Sequence, residues 1–242
     1  MVSFGDALNC NTWSSSEAGS RENGEWKCGK RGIFASRTWN DIGSIPDGSS
    51  NTIAAAEGLT YDSTADMDNP SRNVKGGIRY GNGDTDGENG IRSPLYCALA
   101  SRDTNDPQRY NTKWEMIGYR GHWYSYGAGR ITGFCTVLRP NDVSCANGPT
   151  TTVTVNHIRN VNWFMTTAQS NHTGGINAVF CDGSVRFITD TIDNANLRWS
   201  SGDVVLNGSH GTGKISMDAI GASPFGVWGA LGTIDGGEST SL

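Results

Sequence analysis

The chain has 242 residues, 19 Lys+Arg against 24 Asp+Glu, and a formal net charge of −5. Hydrophobic residues make up 36% and charged residues 18%, with 33 glycines. That composition favours short strands joined by many turns over long helices, and the mildly acidic balance argues against nucleic acid as a partner.

In chain order, residues 1–32 read as an irregular N-terminal part with Trp13 and Trp26 as anchors, and 32–35 (Gly-Ile-Phe-Ala) as a short strand. Pro46-Asp47-Gly48 is a turn in which Pro pre-sets φ, Asp caps its own backbone and Gly supplies a positive φ. Residues 53–59 suit either one helical turn or a buried strand. Residues 60–112 read as a polar excursion from the core, and 113–242 as the β-rich core. Within that core, residues 134–138 and 150–155 are expected strands. Two alternating runs flank Asp182-Gly183, so residues 175–188 are expected to form a hairpin with a two-residue type I′ turn. Ser223-Pro224 is expected to open a short helix ending near Gly232. The whole reads as one mainly β domain with an antiparallel sheet, Gly-rich turns and few short helices.

No apolar run approaches the ~20 residues that span a bilayer, and no charged-then-apolar leader follows Met1. The six cysteines are Cys10, Cys28, Cys97, Cys135, Cys145 and Cys181. None forms a C-x-x-C pair, so metal ribbons and thioredoxin chemistry have no support. An even count leans toward an oxidising compartment; Cys10–Cys28 and Cys135–Cys145 close the shortest loops, and buried thiols are the alternative.

Few constellations point to chemistry. Asn82, Asp84, Asp86 and Glu88 alternate oxygen side chains on one turn, as a calcium loop does, but Ser93 stands where a bidentate Glu belongs. Gly208 to Lys214 nearly spells a phosphate loop, but Ile215 replaces the Ser or Thr that would hold magnesium. The four histidines, His122, His157, His172 and His210, adjoin no nucleophile motif. Trp123, Tyr124 and Tyr126 lie in a glycine-rich stretch and could stack on sugar faces. His172 precedes Gly174-Gly175, where it can fix the bend into the hairpin, and Asp182-Gly183 supplies the turn. No catalytic residue and no obligatory cofactor follow from these patterns, with Ca2+ the one candidate ion.

Four ordered blocks carry a resemblance. His172 with Asp182-Gly183 and the following Ser-Val-Arg-Phe-Ile resembles the C-terminal signature of a prepilin-like family abundant in planctomycetes, catalogued as a domain of unknown function. Residues 45–58, residues 134–145 and residues 225–238 are similar to three further segments of that family, with Arg139 standing where the family usually has Pro. The resemblance implies a non-catalytic globular domain of a pilin- or pseudopilin-like subunit, exported to the cell surface or periplasm. Its partners would be itself or homologous subunits. The family's N-terminal apolar helix, which would make the layout α+β and provide the membrane contact, is not found after Met1. An extracellular glycan- or solute-binding module, with polysaccharide as partner, is the alternative.

Overall fold

A computed structural model describes residues 1–6, 9–10, 21–22, 25–26, 31–34, 39–60, 72–82, 94–117, 120–121, 129–148, 163–195 and 221–237. The architecture is mainly β. The strands are β1 (Val2–Ser3), β2 (Asn9–Cys10), β3 (Arg21–Glu22), β4 (Glu25–Trp26), β5 (Ile53–Ala56), β6 (Ile78–Asn82), β7 (Glu115–Ile117), β8 (Gly133–Phe134), β9 (Cys145–Gly148), β10 (Trp163–Met165), β11 (Gly175–Phe180) and β12 (Val185–Thr189). The helices are α1 (Pro94–Ser101), α2 (Gly129–Thr132) and α3 (Gly226–Ala230).

Two five-stranded sheets form, in the orders β12-β11-β5-β1-β8 and β2-β10-β9-β6-β7, with β3-β4 as a separate pair. Each large sheet is mixed and not purely antiparallel: β1 runs parallel to β8, and β6 parallel to β9. A parallel pair needs a long crossover, and these pairs join segments far apart in sequence. The segment read as helix or strand at 53–59 supplies β5.

Each sheet has its own core. Ile53, Phe134, Ile176, Ala178, Phe180, Ile188, Trp228 and Leu231 cluster against the first sheet. The Trp228 ring stacks on Phe134 at 6.2 Å, and its Nε1–H donates to the Leu138 carbonyl at 2.8 Å. The second cluster gathers Phe4, Ile78, Tyr80, Cys97, Tyr110, Val137, Phe164 and Phe225.

Several expectations are corrected. The described parts of the stretch expected to leave the core, residues 72–82 and 94–112, contribute to it: Val74, Ile78, Tyr80, Cys97 and Tyr110 are core residues, and α1 lies here with Pro94 at its first position. A few large buried groups outweigh the segment's polar average. Gly32, Ile33 and Phe34 turn instead of forming a strand, because Gly32 crosses so close to the Phe4–Gly5 backbone that no Cβ would fit. The strand expected at 134–138 stops at Phe134, since the Cys135 and Thr136 N–H groups go to different segments, Thr166 O at 2.7 Å and Gly5 O at 2.9 Å. Helix α3 starts at Gly226; Ser223 Oγ accepts the Phe225 N–H at 3.2 Å and organises the turn before it.

Cys145 is bonded to Cys97, not to Cys135. Strand β6 pairs with β9, placing Cys145 beside Arg79 at the floor of α1, so sheet pairing overrides the short-loop preference. Cys135 and Cys181 lie outside this bridge, Cys135 buried and Cys181 half-buried. The strand expected at 150–155 and the Cys28 half of the Cys10–Cys28 pair lie outside the described residues.

Candidate functional site

Part of the signature, His172 with Gly174 and Gly175, meets Glu57 at one end of the first sheet. Glu57 follows β5 and extends its ladder: its N–H donates to Asn177 O at 3.1 Å, and its carbonyl accepts from Gln169 N at 3.1 Å. Its carboxylate accepts the Asn177 N–H at 2.8 Å and Asn177 Nδ2 at 3.2 Å, and meets His172 Nε2 at 3.1 Å. Partial burial pushes the Glu57 carboxyl up, but the Asn177 bonds and then His172 outweigh it, so it sits below its usual value.

The loop carrying His172 is folded from within. His172 N–H donates to Ser170 Oγ at 3.0 Å, and Ser170 Oγ donates to Gly175 O at 2.9 Å. Asn141, at a positive φ of 62°, accepts the Ser170 N–H through Oδ1 at 2.9 Å and reaches Gly175 O through Nδ2 at 3.3 Å. Gly174 takes φ +80°, and a Cβ on Gly175 would run into the Ile188 carbonyl and the Phe187 ring. The bend thus needs both glycines, as the sequence suggests.

At the other end of the hairpin the expected two-residue turn is replaced by a three-residue loop. Gly183 N–H donates to Phe180 O and Phe180 N–H to Ser184 O, both at 2.9 Å, enclosing Cys181, Asp182 and Gly183. A type I′ turn requires positive φ at both central residues, whereas among these only Gly183 has it, at +84°. Asp182 instead accepts the Ser184 N–H at 2.8 Å and its hydroxyl at 2.7 Å, and these bonds lower its pKa. Burial, then Asp182, pushes the Cys181 thiol up to about 11.

Asp47 also departs from expectation. Its carboxylate caps distant amides and not its own turn, accepting Gly236 N at 2.6 Å and Gly237 N at 2.9 Å, with Thr233 Oγ1 at 3.3 Å. Arg139 donates from Nε to Ile192 O at 2.9 Å. The four blocks are therefore joined to one another by side-chain-to-backbone bonds: Glu57 and Asn141 to the hairpin entry, Asp47 to the closing block.

Beneath this loop lies a group the sequence reading missed. Arg120, 1% exposed, donates to Gln169 Oε1 at 2.8 Å, to the Thr167 carbonyl, and approaches Met1 Sδ at 3.0 Å. Gln169 in turn accepts Gly76 N at 2.8 Å and donates to Asp142 O at 2.8 Å and Val74 O at 3.0 Å. Burial lowers the Arg120 pKa to about 10, which leaves it charged at neutral pH. Its environment is built from three distant segments, so no local pattern signals it. A cleft of about 630 Å³ opens nearby, lined by Asn73, Lys75, Arg102, Gln108, Asn141 and Asp190. Lys75 Nζ reaches from it to Ser170 O at 2.7 Å.

The His172 ring meets the Glu57 carboxylate, which also accepts the Asn177 N–H, so the assembly ties the hairpin entry to the end of β5. Trp123, Tyr124 and Tyr126 lie outside the described residues, as do Asp84, Asp86 and Glu88; Asn82 is the last residue of β6. Among the described residues, no three His, Cys, Asp or Glu side chains gather as a metal site, and no helix is long and apolar enough to cross a membrane.

A family described as a protein of unknown function (DUF1559) matches residues 4–195, and the chain belongs to that family. No curated protein and no solved structure matches the chain.

Proposed function

We propose that this chain is the non-catalytic globular domain of a pilin- or pseudopilin-like subunit of an exported surface or secretion filament. The observation that carries the reading is the outward face of the first sheet. Val179, Val185 and Phe187 are 38%, 63% and 49% exposed there, side by side on β11 and β12. An apolar sheet face of this kind suits cover by another element, and the apolar helix that the family resemblance implies fits that need. The signature residues support the same role, since His172, Gly174, Gly175, Asp182 and Gly183 all serve to shape the hairpin.

The N-terminus and intact mass of the protein isolated from its native cells, taken with its presence in sheared filament fractions, test this. The expected result is a longer chain beginning with an N-methylated apolar helix. A native chain starting at Met1, absent from filaments, would overturn the reading.

The cleft favours a second reading, binding of a polysaccharide or small polar solute, because its carboxamides, cations and carboxylate can both donate to and accept from hydroxyl groups. Titration with a glycan panel, repeated on Asn141→Ala and Trp123→Ala, separates the cleft from the aromatic stretch. Melting with and without calcium tests the 82–88 loop.

A further inference from the structure

The first sheet has two edges, and they are treated differently. Beside β8, Cys135 N–H donates to Thr166 O at 2.7 Å and Thr166 Oγ1 donates to Gly133 O at 2.9 Å, so this edge is stitched into the second sheet. Among the described residues, strand β12 forms the opposite edge. Its bonds to β11 begin at Phe180–Ser184, and Asp190 N–H donates to Gly174 O at 2.9 Å just beyond it. Alternate residues of an antiparallel strand bond to the neighbour. Ser184, Arg186, Ile188 and Asp190 therefore bond inward, and the N–H and C=O groups of Val185, Phe187 and Thr189 point out of the sheet. All three of those residues are exposed. Natural edges are blunted by charged side chains, Pro or a bulge; the strand Val185–Thr189, VRFIT, carries no Lys or Pro, has Arg186 as its one charge, and pairs with β11 in unbroken register.

We propose that β12 pairs with β12 of a second copy of this chain, antiparallel and two-fold symmetric about Ile188, with Arg186 of each copy opposite Asp190 of the other. Charge selects this register. The axis must fall where the outward main-chain groups of the two copies meet. Centring it on Arg186 sets two guanidinium groups opposite each other, which is unfavourable. Centring it on Val185 or Phe187 sets Arg186 opposite Ser184 or Ile188. Centring it on Ile188 forms two Arg186–Asp190 pairs, while Phe187 of one copy exchanges main-chain bonds with Thr189 of the other. In the single chain the Arg186 guanidinium lies over the Phe180 ring of β11 at 4.3 Å, and the pairing swings it outward across the edge. The contact fuses two five-stranded sheets and continues the apolar outer face across both copies. It is closed by its own symmetry and builds no filament, so it goes beyond the filament reading and is tested separately.

Sedimentation of the full chain from micromolar to near-millimolar concentration tests it, with denaturation midpoints as the check on folding. The expected result is a reversible dimer whose dissociation constant rises at least about tenfold in Arg186→Asp and in Asp190→Arg, and returns to within about threefold in the double exchange. Val185→Lys, at an exposed position, should also weaken the dimer, and it serves if an Arg186 variant does not fold. A chain monomeric throughout, single reversals without effect, or a double exchange no tighter than the weaker single variant would each overturn the proposal.

Discussion

The two faces of the β11–β12 hairpin come from the same strands, yet they meet different surroundings. On the inner face, Ile176, Ala178, Phe180 and Ile188 are buried in one cluster with Trp228 and Leu231. On the outer face, Val179, Val185 and Phe187 stand in solvent beside Asn177. An antiparallel sheet with one wet side usually alternates apolar inside with polar outside. Here β12 places its one charged residue, Arg186, on the inner side over Phe180 and two of its apolar residues outward. Alternation alone identifies a strand but not which face is the core; the placement of Trp228 decides that.

The largest test of this contrast is Trp228→Ala. It removes the ring stacked on Phe134 and the bond to Leu138 O, and a loss of about 3–5 kcal/mol in denaturant unfolding is expected. A loss under about 1.5 kcal/mol would mean that the inner face is closed by something other than α3. Next comes Gly175→Ala, whose Cβ meets the Ile188 carbonyl and Phe187 ring. Overpacking at that site should cost about 1–3 kcal/mol, and amide exchange should quicken first in β11 and β12. A variant as stable as the parent would show that the hairpin entry has slack that its geometry does not suggest.

The hairpin's anchor gives a smaller, pH-dependent effect. His172→Ala removes one bond to Glu57 and should cost about 0.5–1.5 kcal/mol. Glu57 in the folded state titrates below its usual value. A carboxyl depressed by folding contributes stability that is full above its unfolded pKa, about 4.3, and is lost as pH falls through the lower, folded value. Glu57→Gln should therefore flatten that part of the acid limb in a stability-versus-pH series. An unchanged acid limb would place the anchoring elsewhere.

How far the sequence could be read follows the same division between local and distant partners. The bend at Gly174-Gly175 and the turn at Gly183 were legible because each is a backbone demand met within a few residues. The turn type was missed because Asp182 keeps a negative φ and bonds to Ser184, a choice that the Asp-Gly dipeptide leaves open. Asp47, whose partners lie 189 and 190 residues away, gave no local sign of its role. Arg120 is hidden for the same reason, since residues 167–169 and Met1 reach it from two distant segments. The polar average of residues 60–112 concealed Tyr80, Cys97 and Tyr110, which are few but buried. The family blocks were recognisable as strings, yet what they share, the bonding of one block's side chain to another's backbone, exists only once the chain is folded.

The smallest effect is the sharpest test of the comparison. Phe187→Thr changes a residue that is 49% exposed, on a strand where Thr suits the backbone as well as Phe does. If the outer face is free in the isolated chain, unfolding stability at low protein concentration should change by no more than about 0.5 kcal/mol. The equivalent loss on the inner face, Ile188→Ala, should reach about 2–5 kcal/mol. The ratio between the two is what matters, because both residues sit next to each other on one strand and share its backbone energetics. A Phe187→Thr cost above about 2 kcal/mol would mean that the outer face is already covered within one chain. The apolar surface offered above as a contact for another element would then be part of this molecule's own core.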